Sequence, residues 1–179
     1  MNYYFDLETI GLNPFKTGAK VLTAQFLDDD DNLIILTEWE LGEHELLDQI
    51  QNIFLEINHS EDLKQRSYNP VFTYNGKFDF HFYMNRCAYY QERKSMGIIF
   101  DTVILSTKHC DLMQFDNGFF KGLDTIAKKH KIKRTTKFLG KHIEGLYYDE
   151  KYDDIIAHAT DDVVILKKLV ELGYGKRFI

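Results

Sequence analysis

Five side chains in this sequence are of the kinds that bind hard metal ions and move protons, and they fall at three separated places. Asp6 and Glu8 sit in Phe5-Asp6-Leu7-Glu8-Thr9. The two-residue period of a strand puts both carboxylates on one face. Two like charges on an aromatic and aliphatic strand are costly unless a cation lies between them. Asp79 follows Tyr74-Asn75-Gly76-Lys77-Phe78, where a strand and turn feed a helix. Open α/β sheets place their chemistry at such junctions, and a helix start favours a carboxylate. His158 and Asp162 are four apart in the last apolar-striped segment, hence stacked on one helix face. Asp161 lies about 100° around that helix and is expected in solvent. Each place has a plain structural explanation: a strand-end acid in water, a first-turn helix acid, a local His–Asp hydrogen bond. Taken together, four carboxylates meeting at one sheet end describe a seat for two divalent ions, Mg²⁺ or Mn²⁺. Two such ions ~3.5–4 Å apart catalyse in-line displacement at phosphorus.

The elements that must position these groups follow from the apolar pattern. Residues 20–27 and 33–38 read as strands joined by a hairpin turn across 28–32. Residues 43–57 carry Leu46, Leu47, Ile50, Ile53, Phe54 and Ile57, the stripe of an amphipathic helix. A short buried strand is expected over 71–74, an aromatic-rich helix over 78–90, and another strand over 110–115. Residues 98–105 are apolar without a clear period. Short and long helices are expected over 123–130 and 152–172. Strand hairpins followed by alternating helices and strands predict an α/β domain with a mixed sheet covered by helices.

At 179 residues the chain suits a single domain, 1–179, with a full core. Its start on a strand without a basic, apolar leader predicts an intracellular, cytoplasmic protein, and no apolar run is long enough to span a membrane. Cys87 and Cys110 lack metal-site spacing and are expected as reduced thiols. The net charge of −6 argues against a polyanionic partner until its distribution is considered. Acids crowd 28–62, including the run Asp28-Asp29-Asp30-Asp31. By contrast, 121–141 holds Lys128, Lys129, Lys131, Lys133 and Arg134 among other basic residues, with Asp124 the sole acid. Such a local field can steer a polyanion whatever the total charge.

The motifs resemble a known family. Phe5-Asp6-Leu7-Glu8-Thr9, Asn75-Gly76-Lys77-Phe78-Asp79 and His158-Ala159-Thr160-Asp161-Asp162-Val163 are similar, in that order, to the three motifs of the DEDD superfamily of 3′–5′ exonucleases. His109-Cys110-Asp111-Leu112 and Gly122-Leu123-Asp124-Thr125-Ile126-Ala127 resemble segments of the proofreading domains of family-B DNA polymerases and their stand-alone relatives. The likeness spans nearly the whole chain. It departs in the last motif. The polymerase-like branch has Tyr with three residues before the Asp, and the other branch has His with four. Here His158 stands at the first branch's spacing.

The resemblance implies a ribonuclease H-like fold, with three antiparallel N-terminal strands, then parallel strands, flanked by helices. It implies a 3′–5′ exonuclease that releases nucleoside monophosphates from single-stranded or unpaired 3′ ends of DNA. Asp6, Glu8 and Asp162 would hold one ion, and Asp6 would bridge to a second near Asp79. One ion would activate the attacking water and the other stabilise the leaving 3′ oxygen. His158 would take a proton from that water or orient it, and neighbouring carboxylates could raise its pKa. Thr9 and Leu12 lie where relatives pack the terminal nucleotide, and Asn75 and Phe80 are placed to meet sugar or base. Lys128, Lys129, Lys131, Lys133 and Arg134 are assigned to the backbone of a single strand. An exoribonuclease of the same mechanism and a catalytically silent nucleic-acid-binding module are the alternatives. A proofreading role requires a separate polymerase or repair partner.

Overall fold

The computed structural model describes residues 1–58, 69–91, 107–115 and 121–174. Its centre is β1 (Tyr3–Ile10), the middle strand of a five-stranded sheet. β2 (Lys20–Asp28) pairs antiparallel with β1, from Tyr3 opposite Asp28 to Ile10 opposite Lys20. β3 (Leu33–Thr37) continues the meander antiparallel to β2. On the other side β4 (Pro70–Thr73) runs parallel to β1, and β5 (Lys108–Asp111) parallel to β4, giving the order β3-β2-β1-β4-β5. The expected mixed sheet, antiparallel first and parallel after, is the one observed.

β1 is buried on both faces because helices cover both. Phe5 and Leu7 point into a cluster with α2 (Glu43–Asn58) and α3 (Gly76–Gln91), among them Leu46, Phe54 and Phe82. Tyr4 points the other way, into a cluster with Phe72, Leu112, Val163 and Leu166. Those last two belong to the 20-residue α6 (Tyr152–Glu171). The strand alternation therefore aims the even-numbered residues of β1, Asp6 and Glu8 included, at α6. A register shift between Glu8 and Thr9 breaks the ladder at the end of this run. Such irregularities re-aim side chains and end pairing beside active sites.

The acid run expected as a hairpin turn has its own internal partners. Asp28 Oδ1 accepts from the N–H groups of Asp30 and Asn32, and Asp31 adopts a positive φ of 65°. Lys167 of α6 reaches over to donate to the carbonyls of Asp28 and Asp29, tying the last helix to this turn.

Three differences from the expected elements stand out. The strand expected over 110–115 ends at Asp111, and Leu112–Phe115 forms a 3-10 turn. The reason is local: Asp111 Oδ1 accepts from Met113 N and Asn75 N, bending the chain off the sheet. The strand expected to include Glu38 stops at Thr37, where the one-turn α1 (Glu38–Leu41) begins. Besides α4 (Leu123–Lys129), the basic region is followed by an unforeseen α5 (Ile143–Tyr148), whose Ile143 and Leu146 pack against Ile10, Leu22 and Ile155. The apolar stretch 98–105 lies outside the described residues. Among the described residues no helix is long and apolar enough to cross a membrane.

Candidate active site

Four acids from three chain segments, β1, the start of α3 and α6, meet beside β1. Asp6 accepts a 2.7 Å hydrogen bond from Gln25 Nε2 of the neighbouring strand. Glu8 is buried, and its Oε1 has no hydrogen-bond partner. Asp79, also buried, stands in the first turn of α3, where the backbone N–H groups of its own residue and of Leu7 partly offset the rise in pKa that burial imposes. Asp162, on the buried face of α6, gives one carboxylate oxygen to Arg134. His158, one helical turn earlier, lies with Nε2 3.4 Å from both Glu8 Oε1 and Asp162 Oδ2.

The electrostatics of this cluster are those of four acids with one guanidinium, Arg134, among them. Burial raises the pKa of Asp6, Glu8, Asp79 and Asp162, most strongly in the first three. Mutual repulsion adds to it: Asp79, Asp162 and Glu8 push Asp6 upward, and Asp162 and Asp79 push Glu8. Arg134 works against this at Glu8 and Asp162. His158 moves in the other direction from the sequence expectation. Burial lowers its pKa below the ordinary value and outweighs the upward pull of Asp162. Its Nδ1 lies 3.1 Å from the Phe138 carbonyl, which can only accept. The shorter contact places the proton on Nδ1, and the Nε2 lone pair faces Glu8 and Asp162. Arg134 Nη1, 3.5 Å from the same Nδ1, is then a neighbour and not a hydrogen-bond donor to it.

The residues present fit a divalent cation. One ligand atom each from Glu8, His158 and Asp162 fall within 4.8 Å of one another. An unpartnered buried carboxylate oxygen is a poor end state without a cation or a proton. Carboxylate oxygens are the donors that hard divalent ions take, and an imidazole extends the set to transition metals.

The turn that delivers Asp79 is tightly built. Asn75 adopts φ 63°, and its N–H donates to Asp111 Oδ1 at 2.9 Å. A Cβ on the next residue, Gly76, would fall inside van der Waals contact with Thr73 Oγ1 and His109 Nε2. Those two atoms are themselves hydrogen-bonded at 2.7 Å, and Thr73 is fully buried, so a Cβ there would have to break the pair.

The other expected site residues fall in different environments. Thr9 Oγ1 donates to the Gly11 carbonyl, and Leu12 is 86% exposed. Both line a cavity of about 400 Å³ together with Glu8, Phe78, Lys141 and Glu144. Phe80, expected to meet a sugar or base, is instead packed against Phe5, Phe54 and His109 in the core. Lys128, Lys131 and Lys133 are exposed around a second cavity of about 520 Å³, and Lys129 is exposed nearby. Arg134, expected as a surface contact to a nucleic-acid backbone, is drawn inward, ion-paired to Asp124 and Asp162.

Asp161 corrects an expectation. It is not in solvent but buried, accepting from Thr135 N, Thr135 Oγ1 and Thr136 N. The helix does turn it away from Asp162, but the 135–136 loop packs on that side and supplies the donors. This anchor fixes the segment bearing Arg134. No spacing rule in the sequence ties residue 135 to residue 161, so the pairing was not legible there.

A family model for the RNase H superfamily matches residues 3–174, and the chain belongs to that superfamily. RNase H-like nucleases generally use divalent metals, which agrees with the cluster of Glu8, His158 and Asp162. No curated protein matches the chain. Among solved structures it is similar to the family B DNA polymerase from the hyperthermophilic archaeon Pyrobaculum calidifontis, with TM-score 0.70 and 15% identity. The match covers 94% of this chain and 24% of the polymerase, so the chain spans about a quarter of that protein's length. At this identity the likeness is one of fold.

Proposed function

We propose that this protein is a metal-dependent 3′–5′ exonuclease that releases nucleoside monophosphates from unpaired 3′ ends of single-stranded DNA. The observation that carries the reading is the convergence of Asp6, Glu8, Asp79 and Asp162, with Glu8 Oε1 buried and unpartnered. Asp6, Glu8 and Asp162 would hold one ion and Asp6 with Asp79 a second; when bound, the ions supply charge stabilisation at the scissile phosphate.

The chain's own groups supply the rest. With its Nδ1 proton committed to Phe138, His158 presents an unprotonated Nε2 to the site at neutral pH, as a general base requires. The two roles of that lone pair exclude each other: as a ligand in the set with Glu8 and Asp162, Nε2 would not be free to take a proton. The cavity beside Glu8, Thr9 and Leu12 suits the terminal nucleotide, with exposed Leu12 offering an apolar surface for a base. The lysine-lined cavity that Arg134 also borders suits the phosphates that follow.

Incubation of 5′-labelled single-stranded DNA in Mg²⁺ tests the reading. A ladder shortening one nucleotide at a time from the 3′ end is expected. Uncut DNA or cleavage within the strand would exclude it, and a preference for RNA would move the substrate assignment to exoribonuclease.

A further inference from the structure

The carboxylate cluster and the basic cavity share one side chain, Arg134. Its guanidinium has two anchors: Nη2 pairs with Asp162 Oδ1 and Nε with Asp124 Oδ1. Its third nitrogen, Nη1, lies 3.5 Å from His158 Nδ1. The side chain is only 11% exposed, while Lys128, Lys131, Lys133 and Lys137 around the same cavity face solvent. Among the described residues no lysine and no other arginine pairs with any of the four clustered acids.

Arg134 therefore does part of a cation's work at this site. Asp162 has two carboxylate oxygens: one is bound to the guanidinium, and the other, with Glu8 and His158, completes the potential ligand set. A divalent ion held there would stand within a few ångströms of a buried, permanent positive charge. Both would draw on the same carboxylate, and in a poorly solvated site their repulsion is screened only weakly. Asp124 is the more solvent-accessible of the two anchors and sits at the cavity wall, so a guanidinium released by Asp162 still has a partner.

We infer that Arg134 is a displaceable counter-ion, whose guanidinium and a divalent cation compete for Asp162. The inference rests on the acid cluster being a metal site. It makes Arg134 a positioning residue that sets the ion affinity of the centre, not a free contact to the nucleic-acid backbone.

The sign of one measurement separates this from a merely structural role. Mn²⁺ is titrated calorimetrically into the metal-free wild-type protein, Arg134→Gln and Arg134→Lys at pH 8, where protons compete least for the carboxylates. Arg134→Gln is expected to bind Mn²⁺ about tenfold more tightly, since close charge pairs are worth at least that factor. Its melting temperature should fall below wild type in EDTA, and the gap should narrow in saturating Mn²⁺. A purely structural arginine gives the reverse, weaker Mn²⁺ binding as Asp162 loses its position. Equal or weaker binding by a folded Arg134→Gln overturns the inference. Should that variant not fold without metal, Arg134→Lys decides, because it keeps the charge but loses the forked grip: tighter binding than wild type supports competition, and equal or weaker binding overturns it. If the wild type binds no Mn²⁺, the metal site itself is refuted. If wild type binds and neither variant binds more tightly, only the role of Arg134 fails.

Discussion

His158 Nε2 lies 3.4 Å from Glu8 Oε1, so the last long helix meets the first strand through one imidazole and one unpartnered carboxylate. Because Nδ1–H donates to the Phe138 carbonyl, the face turned to Glu8 is the basic one. Burial keeps that imidazole neutral by lowering its pKa. Activity should therefore rise with pH through a midpoint below histidine's usual ~6.5 and level off by neutrality. His158→Ala should lose roughly 10²–10⁴ in kcat. A rate still climbing steeply between pH 7 and 9, or an active alanine variant, rules out His158 as the base.

The raised acids make a stability prediction with a definite sign. A carboxyl whose folded pKa exceeds its unfolded value binds its proton more tightly in the native state. Between the ordinary carboxylate range, near ~4, and the raised folded values, stability of the metal-free protein falls as pH rises, and above that window the full cost remains. Thermal melts in EDTA should show this fall. The rise in melting temperature on adding Mn²⁺ should be larger at pH 8 than at pH 5. Glu8→Gln, which removes one repelling charge, should melt ~2–4 °C above wild type in EDTA, the shift that about 1 kcal/mol gives in a chain of this size. An Mn²⁺ effect independent of pH contradicts the assignment.

Gly76→Ala should destabilise the protein by about 1–3 kcal/mol, because its Cβ collides with the buried Thr73 side chain and breaks its hydrogen bond to His109. Urea denaturation reads the loss. Activity should fall with it, since the same turn carries Asp79 into place. A neutral substitution would mean that the turn relaxes freely.

The lysine cavity yields a salt-dependence test. Replacing Lys128, Lys131 and Lys133 together by alanine should raise KM and leave kcat nearly unchanged. The slope of log affinity against log salt for a single strand should flatten by ~0.7 for each phosphate that the variant no longer neutralises. An unaltered slope removes these lysines from the substrate path.

What the sequence made legible was what local geometry dictates. The two-residue period put Asp6 and Glu8 on one face, and the four-residue spacing put His158 beside Asp162; both relations hold in the structure. The amphipathic stripe of α2 is buried as its pattern required, except Ile53, which is half-buried at its edge. The groups misread or unforeseen depend on loops that meet helices across long sequence separations. Asp161 satisfies the backbone of 135–136, Arg134 reaches Asp162, and the Phe138 carbonyl sets the tautomer of His158. No periodicity encodes those meetings. Phe80 shows a related limit: an aromatic residue one position after a site acid can face either a ligand or the core, and here packing against Phe5 and Phe54 decided it.

The central claim is that Asp6, Glu8, Asp79 and Asp162 form a divalent-ion site that cuts DNA from the 3′ end. Its most direct test follows 5′- and 3′-labelled single strands with wild type and Asp6→Ala, in EDTA and on back-titration with Mg²⁺ or Mn²⁺. The 3′ label should appear first as a mononucleotide while the 5′-labelled strand shortens stepwise. All activity should vanish in EDTA, return with added ion in the wild type, and stay absent in Asp6→Ala. Full activity in EDTA, or an Asp6→Ala variant that digests at the wild-type rate, would contradict the account.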